Sequence, residues 1–392
     1  MTIKNPYIIC GHLPPNSEVY ITRNAEHRIL RKLLEMYYVE IIQPRQHGKT
    51  SIIYKLRDEL NRYNDADRMY RLIYITADEL QNKNESEWYK ELTIKILDQT
   101  KDIFHFKSVE YPIDAYSWGN FLLNYINELQ SNYSQDIYLI IAIDEVGGVP
   151  PKFAEDFFTQ LRAIFNKRGH EPSYRQVTFV LAGSVNPSHL IKNNRISPFN
   201  ITLKEKLEKL RLDQVEKLTD ILPISVEMSN FISKRIYHWT KGHPYLTQLL
   251  CYNLAEQINE FAAAIDKTMN ERTTEEGRSK KTNNVIDDNL IIEEVNKNID
   301  NLVDDILLDD NIHLQNIFNK IAHDNKILDY LQNIYETQIR FTPSLTEEQF
   351  LLSRIIGIID SNDDGLCQIS NRLYEKALKE KGLLKKAYSQ LI

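Results

Sequence analysis

Gln43-Pro44-Arg45-Gln46-His47-Gly48-Lys49-Thr50-Ser51 stands between the apolar run Tyr38-Val39-Glu40-Ile41-Ile42 and a helical pattern that opens at Ser51. A short apolar strand, a turn with glycine and then Lys-Thr at a helix start form a phosphate-binding loop. In such a loop backbone N–H groups converge on phosphate oxygens and the helix N-terminus adds its positive dipole end. The lysine pairs with the β- and γ-phosphates and the hydroxyl holds Mg²⁺. The stretch therefore predicts binding of ATP or GTP with Mg²⁺, with Gln46, His47, Gly48, Lys49, Thr50 and Ser51 around the phosphates. One position departs from the pattern, which asks for glycine six residues before Lys49, where this chain has Gln43. If the backbone there needs a positive φ, the side chain costs about 1 kcal/mol, which leaves binding in place and bears on the hydrolysis rate. The alternative is a strand-turn-helix connection that happens to contain Gly-Lys-Thr.

A second segment supports the loop. Ile140-Ile141-Ala142-Ile143-Asp144-Glu145 ends an apolar run that starts at Ile137, bounded by Ser134-Gln135-Asp136 and Gly147-Gly148. Such a run reads as a strand buried on both faces of a parallel sheet. Its two terminal carboxylates would lie where open α/β sheets bind ligands. Asp144 is expected to hold Mg²⁺ with Thr50, and Glu145 to orient and deprotonate the water that attacks the γ-phosphate, with Lys49 as its catalytic partner. A solvated acidic loop after a core strand is the alternative.

Outward from these two segments strands and helices alternate. Strands are expected at 38–42, 72–76, 137–143 and 177–182, with a further short one at 200–203. Helices are expected at 49–63, 88–100, 118–129 and 153–166. Alternation of this kind specifies an α/β fold, a P-loop NTPase parallel sheet with helices on both faces. From Asp213 the pattern is helical only, at 213–221, 226–239 and 244–261, the last with proline in its first turn. Residues 266–284 contain almost no large apolar side chain and read as a mobile linker. Beyond it, helices at 291–308, 314–323, 325–336 and 346–354 lead to apolar strands at 355–359 and 366–370, joined through Asp364-Gly365, and to a last helix at 371–380. That order predicts a winged helix-turn-helix. The expected division is a P-loop ATPase core at 1–205, a helical lid at 206–264, a flexible linker at 265–289 and a C-terminal winged-helix domain at 290–392.

At 392 residues, 42% hydrophobic and 26% charged, the composition is that of an ordinary soluble protein. Cys10, Cys251 and Cys367 are far apart and show no metal-ligand spacing, so neither a zinc site nor a disulfide framework is indicated. No export signal and no apolar stretch of about eighteen residues is present, which points to the cytoplasm and away from the membrane.

With these parts in order, the chain resembles the AAA-like ATPases of prokaryotes that group with the STAND signalling NTPases and the archaeal ATPases. Tyr20-Ile21-Thr22-Arg23, the phosphate loop, Ile143-Asp144-Glu145, Val180-Leu181-Ala182-Gly183-Ser184 with Ser197-Pro198-Phe199-Asn200, and Lys241-Gly242-His243-Pro244-Tyr245-Leu246 carry the resemblance. It implies ATP as the nucleotide and Arg23 near it, although Thr22 replaces the usual glycine. It further implies Ser184 or Asn186 as a sensor of the γ-phosphate, and His243 and Pro244 of the lid as nucleotide contacts. Arg195 lies where such ATPases carry a finger that reaches a neighbouring subunit, and a plain exposed loop arginine is the equal alternative. For His243, capping or packing in the lid is the alternative.

Three functions compete. The first is an ATP-dependent molecular switch acting through a protein partner, with a homo-oligomer as a further option. The second is a DNA-acting ATPase of the initiator or transposition type, and the third a nucleotide-binding scaffold that does not turn over. Charge weighs against DNA, because residues 282–365 hold 17 acidic against 5 basic side chains, and the tail to residue 392 only partly offsets this, leaving −8. A surface of that sign repels phosphates.

Overall fold

The computed structural model describes residues 5–103, 109–184, 201–258, 288–308, 311–336, 348–362 and 364–384. Asn186, Arg195, the 197–200 stretch and the expected linker up to residue 287 lie outside them. The described residues form two compact units, one drawn from Pro14–Asn16 and Thr22–Glu208, the other from Met1–Leu13, Ser17–Ile21 and Lys209–Ile392.

The first unit is a five-stranded sheet. In chain order it runs α1 (Asn24–Leu34), β1 (Val39–Ile42), α2 (Lys49–Asn61), β2 (Arg68–Thr76), α3 (Glu85–Thr100), α4 (Ala115–Asn132), β3 (Asp136–Asp144), α5 (Ala154–Lys167), β4 (Val177–Gly183) and β5 (Leu203–Lys204). The strands lie in the order β2-β3-β4-β1-β5, all pairs parallel. Parallel neighbours need crossover helices, so both faces are covered and the strands read as unbroken apolar runs. Period-two alternation divides β3 between two cores. Leu139, Ile141 and Ile143 join Trp88, Trp118 and Phe157, while Ile140 and Ala142 join Ile52, Ile53 and Leu56 of α2. Each fully buried large apolar side chain contributes roughly 1.5–3 kcal/mol. Helix starts are set by caps: Asn84 Oδ1 accepts the Glu87 N–H at 3.0 Å and Asp114 Oδ1 the Ser117 N–H at 2.7 Å. The strand expected at 200–203 is displaced to Leu203–Lys204, where it pairs with Val39 and Glu40.

The second unit continues with α6 (Leu212–Thr219), α7 (Val226–Thr240), α8 (Pro244–Glu256), α9 (Asp288–Leu308), α10 (Ile312–Ala322), α11 (Asn325–Glu336), α12 (Glu348–Ile356), β6 (Ile359–Ser361), β7 (Cys367–Ile369) and α13 (Arg372–Glu380). One apolar core joins Ile232 and Ile236 of α7 and Leu250 of α8 to Ile299, Val303, Phe318 and Tyr374. Ion pairs add to it. Arg235 holds both oxygens of Asp300, Trp239 Nε1 donates to Asp300 at 2.8 Å, and Lys376 pairs with Asp304. The N-terminal segment belongs to the same core through Tyr7, whose hydroxyl donates to the Leu218 carbonyl at 2.6 Å.

The first C-terminal strand differs from its expected place. The run 355–359 is divided, since α12 continues to Ile356 and ends at Gly357, whose φ of 87° is left-handed. The N–H groups of Gly357 and Ile358 both return to the Ser353 carbonyl at 3.1 Å, a glycine-terminated helix end, and the strand begins only at Ile359. β6 and β7 pair antiparallel, Ile359 opposite Ile369. Among the described residues no helix is long and apolar enough to cross a membrane.

Candidate functional site

The sheet order sets the site. β1 and β3 both flank β4, with Ile42 opposite Gly183 and Ile143 opposite Leu181, so the loop after β1, Ser184 after β4 and Asp144-Glu145 after β3 leave one edge of the sheet side by side. That edge, outside the C-terminal strand ends, is where open α/β sheets take ligands. Alternation carries Asp144 onto the face of Ile140 and Ala142, which is the face α2 covers.

Gln43 extends β1 by one ladder bond, its N–H donating to the Gly183 carbonyl at 3.0 Å, and its φ is not positive. The left-handed residues of the loop are Gln46 at φ 64° and Gly48 at φ 80°. The strain considered for Gln43 thus falls on Gln46. Gly48 precedes α2, and a Cβ there would come within 2.8 Å of Arg23 Nη2. Arg23 is buried and donates to the His47 carbonyl at 2.8 Å, with the carbonyls of Glu208 at 3.4 Å and Gly48 at 3.5 Å. Its guanidinium therefore braces the loop backbone. His47 Nδ1 lies 3.0 Å from the Arg45 carbonyl, and since a carbonyl only accepts, that nitrogen carries the proton. Ser51 is buried in the first turn of α2.

Lys49 is also buried, its Nζ donating to the carbonyls of Gln43 at 3.0 Å and Pro44 at 3.1 Å, 3.9 Å from Glu145 Oε1. Burial pushes its ammonium below the ordinary range, against the opposing pull of Glu145 and Asp144. Thr50 Oγ1 donates to Asp144 Oδ2 at 2.5 Å, the Tyr74 hydroxyl donates to the same oxygen at 3.2 Å, and the Glu145 N–H donates to Oδ1 at 2.9 Å. Glu145 has left-handed backbone, φ 48° and ψ 46°, and its Oε2 accepts from Ser184 Oγ at 3.2 Å. A non-glycine residue held there costs on the order of 1–3 kcal/mol. The arrangement fixes one carboxylate against a hydroxyl and leaves a second carboxylate, 26% exposed, beside an ammonium.

The donor set suits Mg²⁺. Among the described residues no three acidic, histidine or cysteine side chains gather as a metal cage. Mg²⁺ is commonly held by one or two protein oxygens and completed by phosphates and water, which Thr50 and the buried Asp144 match. Tyr74 was not among the residues expected from sequence. Its signal is a phenol at the C-terminal end of an apolar strand, on the same alternate face as Leu72 and Tyr70.

His243 and Pro244 belong to the other unit. His243 is buried and caps α8, its Nδ1 accepting the Leu246 N–H at 3.4 Å while Nε2 meets the Tyr374 hydroxyl at 3.4 Å, and Pro244 is the first residue of the helix.

The whole fold resembles the Walker-type ATPase paby2304 of Pyrococcus abyssi, with a TM-score of 0.58 at 14% identity over 95% of this chain and 99% of that one. The ORC2 protein of Aeropyrum pernix aligns more loosely, with a TM-score of 0.42 at 11% identity over 91% of this chain and 93% of the other. An uncharacterized WD repeat-containing protein of Synechocystis is 25% identical over 268 residues, 65% of this chain. The chain spans about a fifth (21%) of that relative's length. The AAA-like domain family matches residues 8–278, and with that span taking in the phosphate loop, the acidic strand end and the Gly242-His243-Pro244 turn, the chain belongs to the AAA-like domain family.

Proposed function

We propose that the chain is an ATP-binding and ATP-hydrolysing molecular switch that acts through a protein partner. The observation that carries this reading is the hydrogen bond of Thr50 to the buried Asp144, with Lys49 and Glu145 side by side at the same sheet edge. Lys49 receives the β- and γ-phosphates, exchanging the Gln43 and Pro44 carbonyls for phosphate oxygens, while Arg23 holds the loop open. Thr50 and Asp144 hold Mg²⁺. The ion, when bound, neutralises charge that develops on the phosphates. Glu145 accepts the proton of the attacking water and Ser184, bonded to it, senses the γ-phosphate. In this reading His243 and Pro244 are the lid's contribution to nucleotide sensing.

The output is assigned to the C-terminal helices and the β6–β7 hairpin, which we read as a winged helix whose acidic surface docks protein rather than DNA. Its net −8 over residues 282–392 favours that choice. The WD repeat-containing relative is consistent with work among protein partners. A homo-oligomer with Arg195 reaching a neighbour is part of the same proposal.

The test is calorimetry with ATP, ADP and GTP on the full chain, together with phosphate release by wild type and Glu145→Gln. The variant keeps shape and hydrogen bonding but cannot take a proton. It should bind ATP with wild-type affinity and turn over at least about 100-fold more slowly. Wild-type turnover no faster than the variant's would leave a nucleotide-binding scaffold instead. Salt-sensitive retention of duplex DNA by the full chain at ~50 mM salt would shift the output to nucleic acid.

A further inference from the structure

Asp144 Oδ2 accepts two hydrogen bonds from two different elements. One comes from Thr50 at the start of α2, the other from the phenol of Tyr74 on β2 at 3.2 Å. Tyr74 lies opposite Ala142 in the sheet register and Asp144 lies opposite Thr76, so the phenol reaches diagonally along the neighbouring strand to the carboxylate. Its ring is seated against Tyr54 of α2, centroids 5.0 Å apart and planes inclined by 36°. Tyr54 is one helical turn beyond Thr50, so the helix that carries the hydroxyl ligand also holds the ring that aims the phenol.

An aspartate fixed only by Thr50 and by its neighbour's N–H could still rock about its Cβ–Cγ bond. A third donor on the oxygen that faces Thr50 removes that freedom. We infer that Tyr74 is a positioning residue for Mg²⁺, fixing Asp144 Oδ2 so that Thr50 and Asp144 present one rigid pair of hard oxygen donors. The inference rests on the nucleotide reading above. Groups that orient a metal ligand commonly matter by 10–100-fold in metal affinity, and a 3.2 Å bond to an aspartate places Tyr74 at the low end, about tenfold.

The decisive variant is Tyr74→Phe, which keeps the ring against Tyr54 and deletes only the hydroxyl. Tyr70→Phe, on the same strand with its ring stacked on Tyr138, serves as control. ATP affinity is measured with the full chains in EDTA and across a Mg²⁺ titration, and Mn²⁺ binding to the ATP complex is followed by electron paramagnetic resonance. Tyr74→Phe should leave metal-free ATP affinity unchanged and raise the half-saturating Mg²⁺ and Mn²⁺ concentrations about tenfold, whereas Tyr70→Phe moves neither. Equal loss of ATP affinity with and without metal would overturn the inference in favour of a structural role. An unchanged metal dependence in a wild type that binds ATP would overturn it alone. A wild type with no ATP affinity would overturn it together with the nucleotide reading.

Discussion

Replacing Lys49 by methionine keeps the length of the side chain and removes its charge. The ammonium is held by two loop carbonyls at 3.0 and 3.1 Å and lies 3.9 Å from Glu145, so in the proposed complex a phosphate in the loop draws it away from those carbonyls. Two unit charges about 4 Å apart attract by roughly 4 kcal/mol at an effective dielectric near 20. Withdrawing the ammonium from the carbonyls offsets much of that, and about 1.4 kcal/mol is the smallest net effect expected, tenfold in Kd. The variant also loses the hydrogen bonds to the Gln43 and Pro44 carbonyls whether or not nucleotide is bound, so the quantity compared is the gain in stability that ATP brings to each protein. The assay is a denaturant melt of the full chain with and without ATP at about 100 times the wild-type Kd. Wild type gains about 2.7 kcal/mol from that ligand concentration, and a tenfold weaker variant gains no more than about 1.4 kcal/mol. An ATP-dependent gain equal to that of wild type, in a folded variant, would refute the assignment of Lys49 to the phosphates.

Gly242→Ala should destabilise the second unit by more than about 3 kcal/mol, since φ is +70° and a Cβ would fall 1.8 Å from the Leu210 carbonyl oxygen, a backbone atom that cannot step aside. A melting curve within about 1 kcal/mol of wild type would contradict that contact. His313 supplies a pH dependence. Burial pushes it down to about 4 from its ordinary 6.5, so between those values the unfolded chain takes up a proton that the folded one refuses. Its stabilising share is full above pH 6.5 and is lost as pH falls through that window, by about 2 kcal/mol at pH 5. Hydrogen exchange of Asp288–Leu308 and Ile312–Ala322 at pH 7 and pH 5 checks this, and His313→Gln should flatten the difference.

The α/β half was legible because two-sided burial writes itself into the chain. The run from Ile137 to Ile143 reads as an interior parallel strand, and its acidic end was expected at the ligand edge with a solvated acidic loop as the alternative. The strand order was not legible, since periodicity says which faces are apolar and not which strand stands beside which. Tyr74 was missed for a related reason. Its partner Asp144 is 70 residues away, and only the β2–β3 register joins them. The first C-terminal strand was displaced because Ile355-Ile356-Gly357-Ile358-Ile359 satisfies a helix end and a strand start equally well. The choice falls to Gly357, whose left-handed φ closes the helix.

Gln43 illustrates how a departure from a motif is judged by backbone rather than by letter. A glycine is required only where φ is positive or where a Cβ meets an obstacle, and Gln43 meets neither condition by conformation, since its N–H is committed to the Gly183 carbonyl as one more rung of β1. The left-handed non-glycine positions of the site are Gln46 and Glu145, one three residues ahead of Lys49 and the other directly after Asp144. Backbone strain in this site is therefore placed at Gln46 and Glu145 and not at Gln43. The proposed hydrolysis, followed as phosphate release, should therefore respond more to Gln46→Gly, which relaxes the loop, than to Gln43→Gly, which restores the motif, and an equal or larger response to Gln43→Gly would contradict this placement of strain.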